Sequence, residues 1–269
     1  VYYNLAWEEF LVKNANEDFL LFYINSDAVV LGKHQNPWLE VNPALAKENN
    51  IAVARRLSGG GTVFHDLGNI NFSFIRNKEK DFVNFREHIE PISQALHQLG
   101  IVNRISERND IFINEYKVSG NAEHVNNTTK RILHHGTLLY NANLQELSKN
   151  TKPIALNIKT HAVASVRSKV QNIKEIADFG TSMSFLEELI KILKNKLKID
   201  IIYNYNPEEN LSIQNLVISK YNTWEWNYGY TPQFEFTDEK GILYKIRKGN
   251  IIESSDLVKI GQRCDTILP

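Results

Sequence analysis

Residues 55–74 read RRLSGGGTVFHDLGNINFSF, and the three consecutive glycines inside them, Gly59, Gly60 and Gly61, restrict what this chain can build. Glycine contributes no packing and loses more backbone freedom on folding than any other residue, so such a run is retained only where a backbone must come close to something. A backbone without Cβ atoms presents its N–H groups to an anion. Arg55 and Arg56 add forked donors suited to phosphate or carboxylate. The segment predicts an anion-binding loop; the plainer alternative is a tight hairpin with solvated arginines. After it, a turn at Gly68 and Asn69 leads into a strand on which Ile70, Phe72 and Phe74 share one face.

The flanking pattern mixes helices and strands. Asn4 is the expected cap of a first helix whose apolar face holds Leu5, Ala6, Phe10 and Leu11. Residues 19–24 and 28–32 are apolar runs separated by Asn25, Ser26 and Asp27, which predicts a hairpin. Asn42 and Pro43 open a helix, and residues 51–54 form a strand that delivers Arg55 and Arg56 at its end. Ile89, Ile92, Leu96 and Leu99 lie at helical spacing with Gly100 as the stop. Short β segments between Ile101 and Asn141 predict a meander across one sheet, and residues 182–197 an amphipathic helix. Residues 224–229, WEWNYG, read as an exposed aromatic knot or a boundary. The short strands beyond, including residues 256–260, make a small module with a thin core of its own. The fold class is α+β: a mixed sheet with packed helices, divided into a catalytic domain over residues 1–228 and an accessory module over 229–269.

Charge excludes some functions. Lys+Arg and Asp+Glu both number 31, so no basic surplus points to nucleic acid or an anionic membrane. No apolar run approaches the ~20 residues of a membrane span. The single cysteine, Cys264, rules out an intrachain disulfide and suits a reducing, cytoplasmic setting. The chain opens on Val1 rather than Met, so native N-terminal residues are expected ahead of it.

Three cationic or glycine-bearing stretches are expected to meet in one pocket: the loop with its two arginines, Lys117 with Gly120, and Arg167. Lys117 stands among small residues, Ser119, Gly120 and Ala122, which leave room for a ligand over the strand. Asp110 is its candidate partner, or a metal's. His134 and His135 make a poor metal pair, because neighbours on a strand point to opposite faces; packed or hydrogen-bonded histidines are expected. His65 and Asp66 diverge for the same reason, and no serine elbow accompanies them, so His65 is read as positioning the loop or a ligand. Cys264 is remote from these motifs and a poor candidate nucleophile.

NLAWEEFL, HQNPWLE, RRLSGGGTVFHDLGNINFSF, YKVSGNAEH, HHGTLL and SVRSKVQNI, in that order, resemble the lipoate–protein ligase family over nearly the whole chain. The resemblance implies the fold of biotin and lipoate ligases, shared with class II aminoacyl-tRNA synthetase catalytic domains. It implies ATP and lipoate as substrates, lipoyl-adenylate as intermediate, and transfer to a lysine of an apo lipoyl domain. Acceptors would be 2-oxoacid dehydrogenase acyltransferase subunits and the glycine cleavage H protein. On the same grounds Arg56, Gly61, Thr62, Val63 and Phe64 bind nucleotide, and Lys117, the catalytic residue, contacts both nucleotide and lipoate. Arg55, Gly59, Gly60 and His65 meet lipoate, with Gly120, Ala122 and Arg167 as secondary candidates. Val63, the Phe72 strand and Ala122 wall the apolar tail, and Asp110 holds Mg²⁺. A monomer without nucleic acid or membrane partner is expected. Family members often carry a larger C-terminal domain than the piece after Gly229, so either a shortened version or an incomplete chain is expected, and the efficiency of adenylation turns on it. The alternatives are a lipoyl or octanoyl transferase using a preformed acyl-adenylate or carrier, for which no cysteine lies near the motifs, and a non-catalytic lipoate- or nucleotide-binding protein. A biotin ligase would carry a different glycine loop.

Overall fold

In the computed structural model, which describes residues 1–78, 84–203 and 206–268, the chain opens with helix α1 (Tyr2–Asn14). Strands β1 (Phe19–Ile24) and β2 (Ala28–Leu31) follow, then α2 (Pro43–Glu48), β3 (Ala52–Arg55), β4 (Val63–His65) and β5 (Asn69–Asn77). Helix α3 (Phe85–Gln98) leads to β6 (Arg104–Ile105), β7 (Ile111–Ile113), β8 (Tyr116–Ser119), β9 (Asn121–Asn126) and β10 (Arg131–Leu139). The rest comprises α4 (Leu144–Asn150), β11 (Ile158–Thr160), α5 (Ser182–Leu197), α6 (Pro207–Leu216), β12 (Phe234–Thr237), β13 (Leu243–Arg247) and β14 (Asn250–Ser254).

The alternation after the glycine loop does organise the core. β5 runs through an antiparallel sheet ordered β1-β5-β10-β9. Ile70, Phe72 and Phe74 pack under α3 and α5, against Ile89, Ile92, Phe185 and Leu189. The opposite face carries Asn71, Ser73 and Ile75; there Ile75 meets Leu11 and Val12 of α1. Covered on both faces, the sheet buries polar groups on its α1 side, and those groups underlie the site. A second sheet, β3-β2-β4, is mixed: β2 pairs parallel with β3 and antiparallel with β4. It hangs the glycine loop between β3 and β4.

Several local expectations change. β1 and β2 form no hairpin, because Ile24 pairs with Ile70 in the large sheet while Ala28 pairs with Ala52 and His65 in the small one. All four β2 residues are buried and need a partner on each side, which β1 could not supply alone. Asn25 between them is buried and bonded, not a solvated turn residue. Asn4 lies inside α1, capped at Val1, and donates to Asn25 Oδ1 at 2.8 Å. The meander divides at Gly120: β6-β7-β8 is a separate small sheet, and β9 and β10 join the large one. Residues 257–259 form a 3₁₀ turn rather than a strand.

Strands β12, β13 and β14 complete their sheet with β11, and their core takes in Trp38, 1% exposed, beside Phe234 and Cys264. The thin core expected beyond residue 229 is thus filled partly from earlier in the chain. Among the described residues no helix is long and apolar enough to cross a membrane.

Candidate active site

The glycine loop is built around Arg56. Its guanidinium is buried and donates to Ser58 Oγ (3.0 Å), Val30 O (3.1 Å), Gly59 O (2.6 Å) and Gly61 O (2.7 Å). Burial pushes Arg56 down to about 10, which leaves it charged at neutral pH. The carbonyls of Gly59 and Gly61 are turned to this cation, and the N–H groups of Gly59, Gly60 and Gly61 have no protein acceptor among the described residues. Gly60 sits at φ +84°, and a Cβ there would stand 3.0 Å from Arg56 Nη2. A Cβ on Gly32 would lie 2.0 Å from the Gly60 carbonyl. The conformation therefore calls for glycine at Gly32 and Gly60, whereas a Cβ on Gly59 would meet nothing within 4 Å.

The loop borders a cleft of about 820 Å³ whose opposite wall carries Lys117. Lys117 Nζ lies 3.0 Å from Asp110 Oδ1 and folds over Gly120, where a Cβ would stand 3.0 Å from its Cε and 3.1 Å from its Nζ. Its backbone N–H donates to Lys169 O at 2.9 Å, which ties residues 165–171 alongside β8. The same segment is fastened to the glycine loop by Ser165, which accepts from Thr62 N (2.8 Å) and Gln35 Nε2 (3.0 Å) and donates to Glu40 Oε2 (2.5 Å).

Beneath the loop a polar chain crosses the sheet. Arg56 meets Ser58, Ser58 meets His135 Nε2 at 2.5 Å, and His135 Nδ1 meets Glu8 at 3.1 Å. Glu8, 1% exposed, also accepts from Tyr23 (2.9 Å) and Ser73 (2.5 Å). Burial would raise its carboxyl, but His135, Ser73 and Tyr23 together hold it below its ordinary value. Leu5, Tyr23 and Val30 line this inner end of the cleft with Val63 and Ala122. His65 faces it too. Asn25, whose Oδ1 is taken by Asn4, turns its NH₂ to His65 Nδ1 at 2.9 Å, so the proton sits on Nε2, which is buried without a protein partner among the described residues.

Burial, reinforced by Arg56 and His135, pushes His65 down to about 3. Below the ordinary histidine value of 6.5 the unfolded chain takes up a proton that the native His65 refuses, so this contribution to stability is lost as pH falls from about 6.5 towards 3. In His65→Gln the slope of unfolding free energy between pH 6 and 5 is expected to drop by about 1.3 kcal/mol per pH unit. Urea titrations at each pH measure it, and an unchanged slope would show that His65 titrates normally in the fold.

Of the residues nominated from sequence, Arg56, Gly60, Gly61, Thr62, Val63 and His65 line the cleft from one side, and Asp110, Lys117, Gly120 and Ala122 from the other. Others do not. Arg55 is fully buried and points away, donating to Gly32 O, Lys33 O, Gln35 O, Trp226 O and Asn227 O. The segment 224–229 is accordingly no exposed knot: Asn227 is buried against β3, and Gly229 is buried beside Trp224 and Lys248. Phe64 takes the opposite side of β4 from Val63 and packs with Val29, Leu31 and Val41. Phe72 belongs to the helix-covered core. Gly59 is outside the lining, and Arg167 is exposed between Val166 and Ser168, which do line it. Asp66 accepts from Gly68 N and Asn143 N, a turn role that confirms the absence of a dyad. Cys264 is buried in the C-terminal core, its thiol pushed up to about 12 by burial. Sequence reasoning missed Glu8, Gln35 and Glu40; two adjacent glutamates in an apolar helix, Glu8 and Glu9, were the available signal.

The family model of the lipoyl protein ligase A/B catalytic domain matches residues 1–198. Lipoate-protein ligase LplJ of Bacillus subtilis is 40% identical over 261 residues, covering 92% of this chain and 78% of the relative. A crystal structure of lipoate-protein ligase A bound with ATP superposes with a TM-score of 0.72 at 29% identity, over 85% of this chain and 94% of the other. A bi-partite lipoate protein ligase from Thermoplasma acidophilum, studied with its E2 lipoyl domain, gives 0.71 at 28%, over 85% and 92%.

Proposed function

The chain belongs to the lipoate–protein ligase family, and from that premise we propose that its cleft joins the two substrates at Lys117, with the glycine loop opposite. The activity is that of an ATP-dependent lipoate–protein ligase. In the first half-reaction a lipoate carboxylate oxygen bonds to the α-phosphorus of ATP and the α–β bridging P–O bond breaks, releasing pyrophosphate. In the second, an acceptor lysine amine attacks the acyl carbon, AMP departs with the bonding pair, and the amine proton passes to solvent. The acceptor is a lipoyl domain; we assign those of 2-oxoacid dehydrogenase acyltransferase subunits and the glycine cleavage H protein, acted on by a monomer.

The observation that carries the reading is Lys117, paired with Asp110, facing free glycine N–H groups across one cleft. Carboxylate attack on phosphate brings two anions together, and Lys117 is the cation placed to bridge them. Gly60 and Gly61 offer N–H groups to the phosphates; Arg56, with its donors spent on the loop, acts by holding them there and by its charge. The apolar tail is assigned to Leu5, Val30, Val63 and Ala122, with His65 and the Glu8–His135 pair at its end. Asp110, whose Oδ1 serves Lys117, and Glu107 beside it on the cleft wall fit a Mg²⁺ held mainly by nucleotide. Such an ion supplies charge neutralisation on the phosphates. Residues 229–269 are read as an accessory module docked through β11 and Trp38.

Lipoate-dependent ATP/pyrophosphate exchange, followed by a mass increase of an apo lipoyl domain, is the expected result. Use of supplied lipoyl-adenylate without any exchange would reassign the protein to transfer alone. The buried Cys264 already argues against a cysteine-linked transferase.

A further inference from the structure

A second polar cluster lies across the large sheet from Glu8, on the side covered by α3. There His134 is fully buried, with the His88 ring stacked on it at 5.0 Å and Phe85 edge-on at 5.5 Å. Glu123 stands opposite His134 in the β9–β10 ladder, and its side chain is 3% exposed. One carboxylate oxygen, Oε2, lies 3.0 Å from His134 Nδ1 and 3.6 Å from His88 Nδ1. Glu123 Oε1 and His88 Nδ1 are buried with no hydrogen-bond partner among the described residues.

The other ring nitrogen of His134 also faces an acceptor. Its Nε2 is 3.3 Å from Asn121 Oδ1. That amide cannot be reversed, because Asn121 Nδ2 donates to Asn109 O (2.9 Å) and Ser119 Oγ (3.2 Å). A proton on Nε2 satisfies Asn121, whereas the shorter contact, from Nδ1 to a carboxylate oxygen that can only accept, calls for positive charge on the Nδ1 side as well. A neutral imidazole has one proton for these two acceptors, so one contact is left acceptor to acceptor unless a second positive charge, a proton or a metal ion, stands there. A histidine that donates its far N–H to an amide or carboxylate while aiming its other nitrogen inward is the arrangement found at metal-ligating histidines.

We propose that His88, Glu123 and His134 bind a divalent transition-metal ion, zinc by preference, which ties α3 to β9 and β10. The ligand set is two imidazoles and one carboxylate, suited to zinc chemistry. Tetrahedral donors at about 2.0–2.1 Å from zinc are separated by about 3.4 Å. The two measured separations, 3.0 and 3.6 Å, bracket that value, and all the ligand atoms lie within 4.8 Å of one another. Stacked imidazoles do not both aim at one point, so binding requires the helix-borne ring, His88, to turn about its χ2. The role is structural: Asn121, which fixes His134, also lines the cleft immediately after the Lys117 strand, so the ion would stiffen that wall.

The test uses the full chain, stripped with chelator and free of nucleotide so that no phosphate-held ion interferes. Zinc is expected to bind at one equivalent per chain and to raise the melting temperature, and cobalt to give the visible d–d absorption of a four-coordinate site. Glu123→Gln, close to isosteric, and His88→Gln on the helix should each weaken binding by ~100-fold or more. His134, buried in the sheet, is left intact so that folding is preserved. Failure of the wild type to bind either ion stoichiometrically would overturn the proposal. So would unchanged affinity in both variants, or ¹⁵N spectra showing His134 doubly protonated at neutral pH and indifferent to zinc.

Discussion

Lys117→Ala is expected to lower lipoate-dependent ATP/pyrophosphate exchange by ~10²–10³-fold, the usual consequence of removing one preorganised charge from a site where negative charge develops. Stability should barely move. The lysine side chain is 24% exposed, it pairs with Asp110, and partly solvated pairs of that kind contribute about 1 kcal/mol or less. A rate loss with an unchanged unfolding midpoint would place the lysine in the chemistry; full activity in the variant would remove it. Gly120→Ala is the companion measurement. Its new methyl would press on the end of the Lys117 side chain at 3.0–3.1 Å, and a flexible amine yields where a backbone would not. The fold should persist while the amine leaves Asp110, so kcat falls and the melting temperature holds. Loss of stability in Gly120→Ala instead would mean that the strand, not the lysine, responds to the methyl.

These two residues were legible because their signals are local. Small residues around one lysine, and three glycines beside arginines, announce themselves within a few positions of the chain. The α+β class and the apolar face of β5 were legible for the same reason: alternation needs only the strand itself. What the sequence withheld is long-range. Glu8 takes its place through Tyr23, Ser73 and His135, the last two 65 and 127 residues away, and Glu40 through Ser165, 125 residues away. His134 and His135 were rightly separated by the alternation of a strand. The third member of the cluster around His134 comes from a helix packed over the sheet, which spacing along the chain could not reveal. The failed hairpin has the same origin. Asn25, Ser26 and Asp27 look like a turn in isolation, but burial of both strand faces sends β1 and β2 into different sheets.

The arginine pair shows how alternation sorts neighbours without naming their faces. Side chains of consecutive residues at a strand end diverge, so one of Arg55 and Arg56 must leave the cleft. Contacts 171 and 172 residues distant decide which: Arg55 Nε donates to Trp226 O at 3.0 Å, Arg55 Nη2 to Asn227 O at 2.8 Å, and Trp226 Nε1 returns a bond to Arg55 O at 2.8 Å. Its Nη1 gathers the carbonyls of Gly32, Lys33 and Gln35 at 2.8–3.1 Å, which shapes the turn that touches the glycine loop. Arg55→Ala would leave these carbonyls buried without donors, and the expected loss is about 3–5 kcal/mol, the range seen when one member of a buried charged network is removed. Against a typical total of about 5–15 kcal/mol that is a large share, so low soluble yield and a depressed denaturation midpoint are expected. Arg55→Lys, which keeps a charge but loses the fork, should fall between the two. The deciding readout is KM for lipoate in Arg55→Lys under conditions where it is folded. A structural clasp leaves KM near the wild-type value while the urea midpoint drops; a tenfold rise in KM at unchanged stability would return Arg55 to the lipoate site.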